Sequence, residues 1–314
     1  MTRFLVRRLF LVLLTLLASS LLIFVVTQVL PGDVAVAILG RFATPAALDN
    51  LRQSLGLERP AAVQYLGWLW GVVRGDWGVS LSTGQAVLPL VAQRLRNSAL
   101  LAMSAFVLYV PLGILLGLAS ALRRGRALDQ LVSVGSLAFT GLPEFVTGVG
   151  LIALFAVRLR WLPASSSIAP DARLGEALPR LVLPALTVSL VSLAYVIRMT
   201  RAGTVEVLAA DYVRTAWLKG LRPARVLFAH VLRNSLLPTI TVVAVGVGWL
   251  IGGLIITESL FSYPGLGRLL LFAVQRRDLP LIQGAALVLV AVFGLSNLAA
   301  DLLYAVLNPR IRYT

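Results

Sequence analysis

Six stretches of the chain are apolar over lengths that reach across a bilayer, which takes about 20 helical residues. They run Leu9–Leu30, Ala99–Leu122, Leu131–Val157, Leu181–Ile197, Leu236–Ile256 and Ala285–Val306. Little of the 314 residues is left for a soluble domain. Apolar residues make up 59%, charged residues 13%, and mean hydropathy is +0.90. Soluble domains carry roughly 45–50% and 25%. The expected fold class is therefore all-α, a polytopic membrane protein with six transmembrane helices. The apolar run after Arg8 is too long for a signal-peptide core of about 7–15 residues, and no A-x-A-like site follows it. It reads as a retained first helix.

Six spans place both termini on one side. With the N-terminus inside, the inner segments 1–8, 123–130, 198–233 and 307–314 hold 15 Lys and Arg in 60 residues. The outer segments 31–97, 158–180 and 258–283 hold 13 in 116. The denser positive side is the cytoplasmic one, so both termini are expected in the cytoplasm. The same bias accounts for the net charge of +15 without a nucleic-acid partner. There is no cysteine and a single histidine, His230. Disulfides and thiolate chemistry are excluded, and neither a histidine metal site nor a catalytic triad is expected.

The expected organisation is a first segment and helix over 1–30, an ordered external subdomain over 31–97, and a core of five helices over 98–306. The core carries a cytoplasmic loop at 201–234, and a tail follows over 307–314. In the external part, Thr44-Pro45 reads as a helix cap with proline at the first helical position, and Gly56 as its stop. Pro60 can open a second helix with Tyr65, Trp68, Leu69 and Val72 on one face. Arg74-Gly75-Asp76-Trp77-Gly78 breaks it. This subdomain is expected to pack on the membrane surface.

The cytoplasmic loop is the most informative segment. Asp211-Tyr212-Val213-Arg214-Thr215-Ala216-Trp217-Leu218-Lys219-Gly220 reads as a short helix ended by glycine, and Pro223 suits the first turn of another. The pair forms a tight bend. Val213, Ala216 and Trp217 share one face, and Val226, Leu227 and His230 share another. Such faces need cover, from a partner or from the membrane interface. His230 reads as a packing residue of this hairpin.

D-Y-V-R-T-A-x-x-K-G followed by H-x-L-R-N-S-L-L-P resembles the coupling segment of binding-protein-dependent ABC importer permeases, in the dipeptide/oligopeptide/nickel branch. The likeness extends over nearly the whole chain. It takes in Pro31-Gly32-Asp33, Gly56-Leu57-Glu58-Arg59-Pro60, Trp161-Leu162-Pro163-Ala164, Arg198-Met199-Thr200-Arg201, Glu258 to Gly267, and Asn308-Pro309-Arg310-Ile311-Arg312. The resemblance implies a type I ABC importer permease in the bacterial inner membrane. It implies a transport subunit rather than an enzyme, with no catalytic residue. Its partners would be a paralogous second permease, two ABC ATPase subunits and an extracytoplasmic substrate-binding protein. No G-x-x-x-x-G-K-[ST] run occurs, so ATP and Mg²⁺ belong to the ATPases and this chain holds no cofactor or metal.

Carried onto this sequence, the resemblance assigns ATPase coupling to Asp211, Tyr212, Arg214, Thr215, Ala216, Lys219, Gly220, Arg222 and Arg225. It assigns the pathway or gate to Glu258, Phe261, Pro264 and Gly265, in an outer re-entrant stretch. The chain also departs from the pattern. Arg214-Thr215-Ala216 stands where the superfamily often has Glu-Ala-Ala, Trp217 replaces a common arginine, and Asn308 replaces a common aspartate. Glu144, after Pro143 within the third span, stands where the family has a small polar residue. An ionisable group at that depth faces a cavity or a polar partner. Two readings stay open: a place on the pathway that favours cationic or amine-bearing cargo, or a structural contact beside the proline bend.

Two other classes compete. An intramembrane hydrolase needs paired acids or a serine and base at one depth, which Glu144, Asp301 and His230 do not offer. A secondary transporter would move solute without any ATPase. Within the importer reading, peptides are the default cargo. Nickel chelates, glutathione-like peptides and oligosaccharides are the alternatives.

Overall fold

The computed structural model describes residues 2–29, 44–54, 59–167 and 174–307. Pro31-Gly32-Asp33, the Gly56 helix stop with Leu57 and Glu58, and the Asn308–Arg312 run lie outside them. Thirteen α-helices are described. Extended pairing among the described residues amounts to an isolated antiparallel bridge between Val79 and Ala86. The chain divides into two compact units, Met1–Ser98 with Pro264–Leu295, and Ala99–Tyr263 with Ser296–Thr314.

In the first unit, α1 (Thr2–Val29) carries an apolar stretch over Leu5–Thr27. Helix α2 (Pro45–Ser54) begins as expected, with the Thr44 hydroxyl accepting from the Ala47 amide at 3.4 Å. Helix α3 (Ala61–Arg74) follows Pro60 and stops at Gly75, whose φ of 82° is the left-handed conformation that glycine supplies without strain. The expected inner face of α3 is the packed one. Tyr65 meets Phe24 of α1 edge-on at 5.4 Å and Trp68 stacks on it at 6.3 Å. The Ser20 and Tyr65 hydroxyls are hydrogen-bonded at 2.9 Å. The opposite face, with Val63, Leu66, Trp70 and Val73, is exposed.

The rest of this unit gathers around α12 (Leu266–Arg276) and the first turns of α13 (Leu279–Leu307). Val87, Val91, Leu266, Leu281 and Ala285 form its apolar core, with Trp77 against it. At the head of α13 the buried Asp278 carboxylate accepts from the Ser80 and Ser82 hydroxyls at 2.6 Å each and from the Ser82 amide at 2.9 Å. The same side chain caps the helix through the Leu281 amide at 3.3 Å. Burial pushes this carboxyl up, but the donors outweigh it and hold it below the ordinary carboxylate value.

In the second unit, α4 (Val87–Leu122) enters from residue 99, and α7 (Leu174–Leu208) is the central post. Around it stand α5 (Ala127–Gly141), α6 (Glu144–Leu151, continued by a π-helical turn Ile152–Arg158) and α11 (Leu237–Leu260). Close approach is built from small residues. A Cβ on Gly113 would lie 2.6 Å from Val196, and one on Gly117 would lie 2.7 Å from the Ile197 carbonyl. Tyr109, Leu183 and Val196 are buried along this seam, and the Ser189 hydroxyl donates to the Ala105 carbonyl at 3.2 Å.

Among the described residues, four helices are long and apolar enough to cross a membrane unbroken: Leu5–Thr27, Val87–Leu122, Leu178–Leu208 and Leu279–Leu302. Of the other two expected spans, Leu131–Val157 is a bent pair, with Ala127–Gly141 and Glu144–Arg158 meeting at 111°. Leu236–Ile256 falls in Leu237–Leu260, whose start meets the preceding Pro223–Ser235 segment at 43°. The first bend falls at Pro143, where the sequence placed a proline bend within Leu131–Val157. Pro143 has no amide to donate and holds Leu142 extended, at φ −93° and ψ 133°.

Folding lowers the pKa of Asp278, so its stabilisation is present above the unfolded carboxylate value of about 4 and fades as pH falls through the folded value. Thermal melts of purified protein between about pH 6 and pH 3 should show stability dropping at the acid end. Asp278→Asn should start lower and flatten that dependence.

Candidate functional site

The loop between α7 and α11 folds into a hairpin. Helix α8 (Asp211–Leu218) starts after Ala210, whose carbonyl accepts from the Val213 and Arg214 amides at 3.0 and 3.2 Å. It ends at Gly220, where φ is 72° and the amide reaches back to the Trp217 carbonyl at 2.9 Å. Glycine therefore makes the reversal, as its spacing suggested. Pro223 opens the short α9 (Pro223–Arg225), which passes through a π-helical turn, Val226–Val231, into α10 (Leu232–Ser235).

The two arms cover one another. Val213, Ala216, Val226 and Val231 are buried together, with Val207, Leu208, Leu221 and Leu227 around them. The expectation that these faces need a partner or the membrane interface as cover is thus corrected for Val213, Ala216 and Val226, because the arms face inward onto each other. The Asn234 amide donates to the Tyr212 hydroxyl at 2.9 Å and ties the far ends together.

Of the nine coupling candidates, Ala216 is in this core and is not available for docking. Asp211, Tyr212, Arg214, Thr215, Lys219, Gly220, Arg222 and Arg225 are all exposed on the outer surface. Three apolar residues stand out among them: Leu218 at 80% exposure, Phe228 at 69% and Trp217 at 46%. Leu218 and Phe228 were missed from sequence, where Val213, Ala216 and Trp217 supplied the stronger periodic signal. His230 is half-buried, its carbonyl 3.4 Å from the Asn234 amide.

Both ends of the hairpin are fixed to α7. Gly203 of α7 lies so close to the returning chain that a Cβ there would sit 2.5 Å from the Ser235 carbonyl oxygen. One turn earlier, the Thr200 and Thr239 hydroxyls pair at 3.0 Å, joining α7 to α11. The opposite side of α7 carries a salt bridge. Arg201 grips Asp129 with two bonds, Nε to Oδ1 at 2.6 Å and a terminal nitrogen to Oδ2 at 2.8 Å. The Ser120 hydroxyl and the Gly125 amide complete the carboxylate's set at 2.5 and 2.9 Å. A two-pronged contact of this kind fixes orientation as well as distance. Asp129 was missed from sequence, where nothing local marks it as the partner of an arginine 72 residues away.

The pathway candidates are spread along the apolar helices. Glu144 is the first residue of α6, half-buried at the 111° bend, and the Thr257 hydroxyl of α11 donates to its carboxylate. Glu258 and Phe261 are fully buried. The turn they enclose closes when the Tyr263 amide donates to the Glu258 carbonyl at 2.8 Å, and Ser262 takes a left-handed φ of 54°. The Phe261 carbonyl accepts from Ser166 at 2.7 Å. In the other unit, the Pro264 carbonyl accepts from the Asn97 side chain at 2.8 Å, and Gly265 is buried. Among the described residues no three histidine, aspartate or glutamate side chains gather into a metal-binding group.

Two substitutions test the hairpin. Val226→Ala should cost about 2 kcal/mol of local stability and raise hydrogen exchange across both arms. Gly203→Ala should cost about 2 kcal/mol by overpacking against a backbone carbonyl that side-chain repacking cannot move. Asp129→Asn leaves Arg201 without its charge partner and should lower the melting temperature in detergent. Ser120→Ala in that background should then add less than it does alone.

Residues 110–313 match the model of the binding-protein-dependent transport system inner membrane component, and residues 1–105 match that of its N-terminal part. The chain is 38% identical to the dipeptide transport system permease protein DppB of Escherichia coli K12 over 339 residues, covering 100% of this chain and 99% of the relative. It is 37% identical to a probable peptide ABC transporter permease protein of Sinorhizobium fredii, y4tP, over 294 residues and 94% of each. A putative peptide permease protein of Brucella suis biovar 1 is 40% identical over 319 residues, covering 100% of both chains. The chain belongs to the binding-protein-dependent transport system inner membrane component family, and is a permease subunit of the inner membrane.

Proposed function

We propose that this permease carries di- and oligopeptides, delivered by a substrate-binding protein outside the membrane and driven by ATP hydrolysed on two partner ATPases. A paralogous second permease would complete the pathway, with both termini of this chain in the cytoplasm. ATP and Mg²⁺ would be held by the ATPases, and this chain would hold no cofactor. Peptide as cargo is favoured by the names of the relatives, two of which are peptide permeases and one a dipeptide permease. The observation that carries the coupling role is the self-covered hairpin of α8 to α10, fixed to α7 at Gly203 and Thr200.

A hairpin with its own core can be pushed as a rigid body, whereas a loop that buried nothing would bend at the point of contact. Its outer surface offers Leu218, Phe228 and Trp217 to fill an apolar groove on an ATPase, ringed by Arg214, Lys219, Arg222 and Arg225. The Arg and Lys side chains suit an acidic rim or lipid head groups. Glu144, Glu258, Phe261, Pro264 and Gly265 would belong to the pathway and its gate. With Glu258 and Phe261 buried, any gating role requires their turn to open.

Purification of the tagged chain from native membranes should bring down a second permease of similar size and one or two ATPases. Leu218→Asp with Phe228→Asp should abolish ATPase co-purification and ATP-driven peptide uptake. The melting temperature should stay near wild type, because neither side chain is in the hairpin core. Uptake that continued in vesicles holding this chain alone, without ATP, would overturn the importer reading.

A further inference from the structure

The bend between α5 and α6 exposes a short irregular stretch within an apolar segment, with Leu142 and Phe145 open on either side. Between them Glu144 is half-buried. Its backbone is held by packing. A Cβ on Gly148, one turn along α6, would lie 2.5 Å from Leu260 of α11 and 3.1 Å from Thr187 of α7. Helix α6 is therefore pressed closely against both neighbours at the turn that follows the glutamate. Thr257 donates to Oε1. Among the described residues, Oε2 has no hydrogen-bond donor and the carboxylate has no cationic partner.

An oriented carboxylate with an open oxygen cannot rest against acyl chains, because hydrocarbon offers it neither donors nor counter-charge. Its open side faces water, a polar partner or something that passes. A helix broken within a span, with a polar group at the break, is the arrangement that lets a membrane protein present such a group to a solute. We propose that Glu144 is a cation-selecting subsite of the pathway, binding ammonium groups on the cargo, with Thr257 as the residue that positions it. This rests on the permease reading above and adds a preference that the permease itself imposes. The ammonium could be the peptide's own α-amine or a lysine side chain; the chemistry of recognition is the same.

The test uses the complete transporter in vesicles, with its second permease, ATPases and binding protein unchanged. Initial uptake of Ala-Ala, Ala-Lys and N-acetyl-Ala-Lys is compared between wild type and variants. Because the binding protein is common to all, each variant-to-wild-type ratio reports on the permease. Glu144→Gln should reduce uptake of the peptides that carry the recognised ammonium by about tenfold relative to the one that lacks it, the scale of one lost charge-assisted contact. Glu144→Asp should restore part of it. If the side-chain amine is the group bound, N-acetyl-Ala-Lys falls as far as Ala-Lys does. If the α-amine is bound, the acetylated peptide is unaffected, and the free peptides fall together relative to it.

Thr257→Val should shift the same ratios in the same direction with a smaller amplitude, which a purely structural threonine would not do. The chain contains no cysteine, so Glu144→Cys offers an independent readout. That thiol should react faster with a cationic than with a neutral methanethiosulfonate only if the surrounding pathway itself concentrates cations; equal rates assign the selectivity to the carboxylate. Ratios that stay at wild-type values for all three peptides in Glu144→Gln, or fall equally for all three, overturn the subsite while leaving the permease reading intact. Uptake by wild type that needs no ATP overturns the permease reading itself.

Discussion

Close backbone approach to one helix organises the second unit. α7 presents surfaces that α4 meets through Gly113 and Gly117, and that the returning hairpin meets at Gly203. At each place a single methyl group would collide with its neighbour. Where helices lie in hydrocarbon, apolar surface gains little by leaving lipid, and close packing of small residues supplies much of the attraction instead. The glycines thus set the inter-helix distances on which everything else here depends. Thr200 can reach Thr239, and Arg201 can reach Asp129, because α7 is held where it is.

Charge is placed sparingly around that frame. Asp129 receives two nitrogens of Arg201, two hydroxyls and an amide, and Asp278 receives two hydroxyls and two amides. Both carboxylates have their acceptor capacity largely used, which is what makes their burial tolerable. Glu144 differs. Among the described residues it has one donor and an open oxygen, in a part of the chain where such an arrangement is costly. The contrast between satisfied and unsatisfied carboxylates is what motivates the subsite proposed at Glu144.

How much of this could be read in the sequence depended on how local the cause was. The cap at Thr44, the packed face of α3, the turn at Gly220 and the helix start at Pro223 all follow from residues within a turn or two of one another, and the structure has them. Pro143 announced an interruption, but not its 111° angle, nor the close packing of Gly148 beside it against Leu260 and Thr187, more than a hundred and about forty residues away. Asp129 with Arg201, and Ser80 and Ser82 with Asp278, join residues between 72 and 198 apart. No spacing rule reaches that far. The hairpin shows an intermediate case. Its two amphipathic faces were legible, but whether they cover each other or a partner depends on how the bend folds back, and the Val213–Val226 core decides it.

The clamp at Gly203 has a mechanical consequence. The hairpin leaves α7 after Leu208 and comes back to it at Ser235, so helix, hairpin and return strand form a closed loop of backbone rather than a tab hung from one end. A tab can yield at its hinge and leave the rest undisturbed. A closed loop resists such yielding, so on the proposed coupling role a push on α8 would be passed to α7 and α11 together, through the Gly203 contact and the Thr200–Thr239 pair.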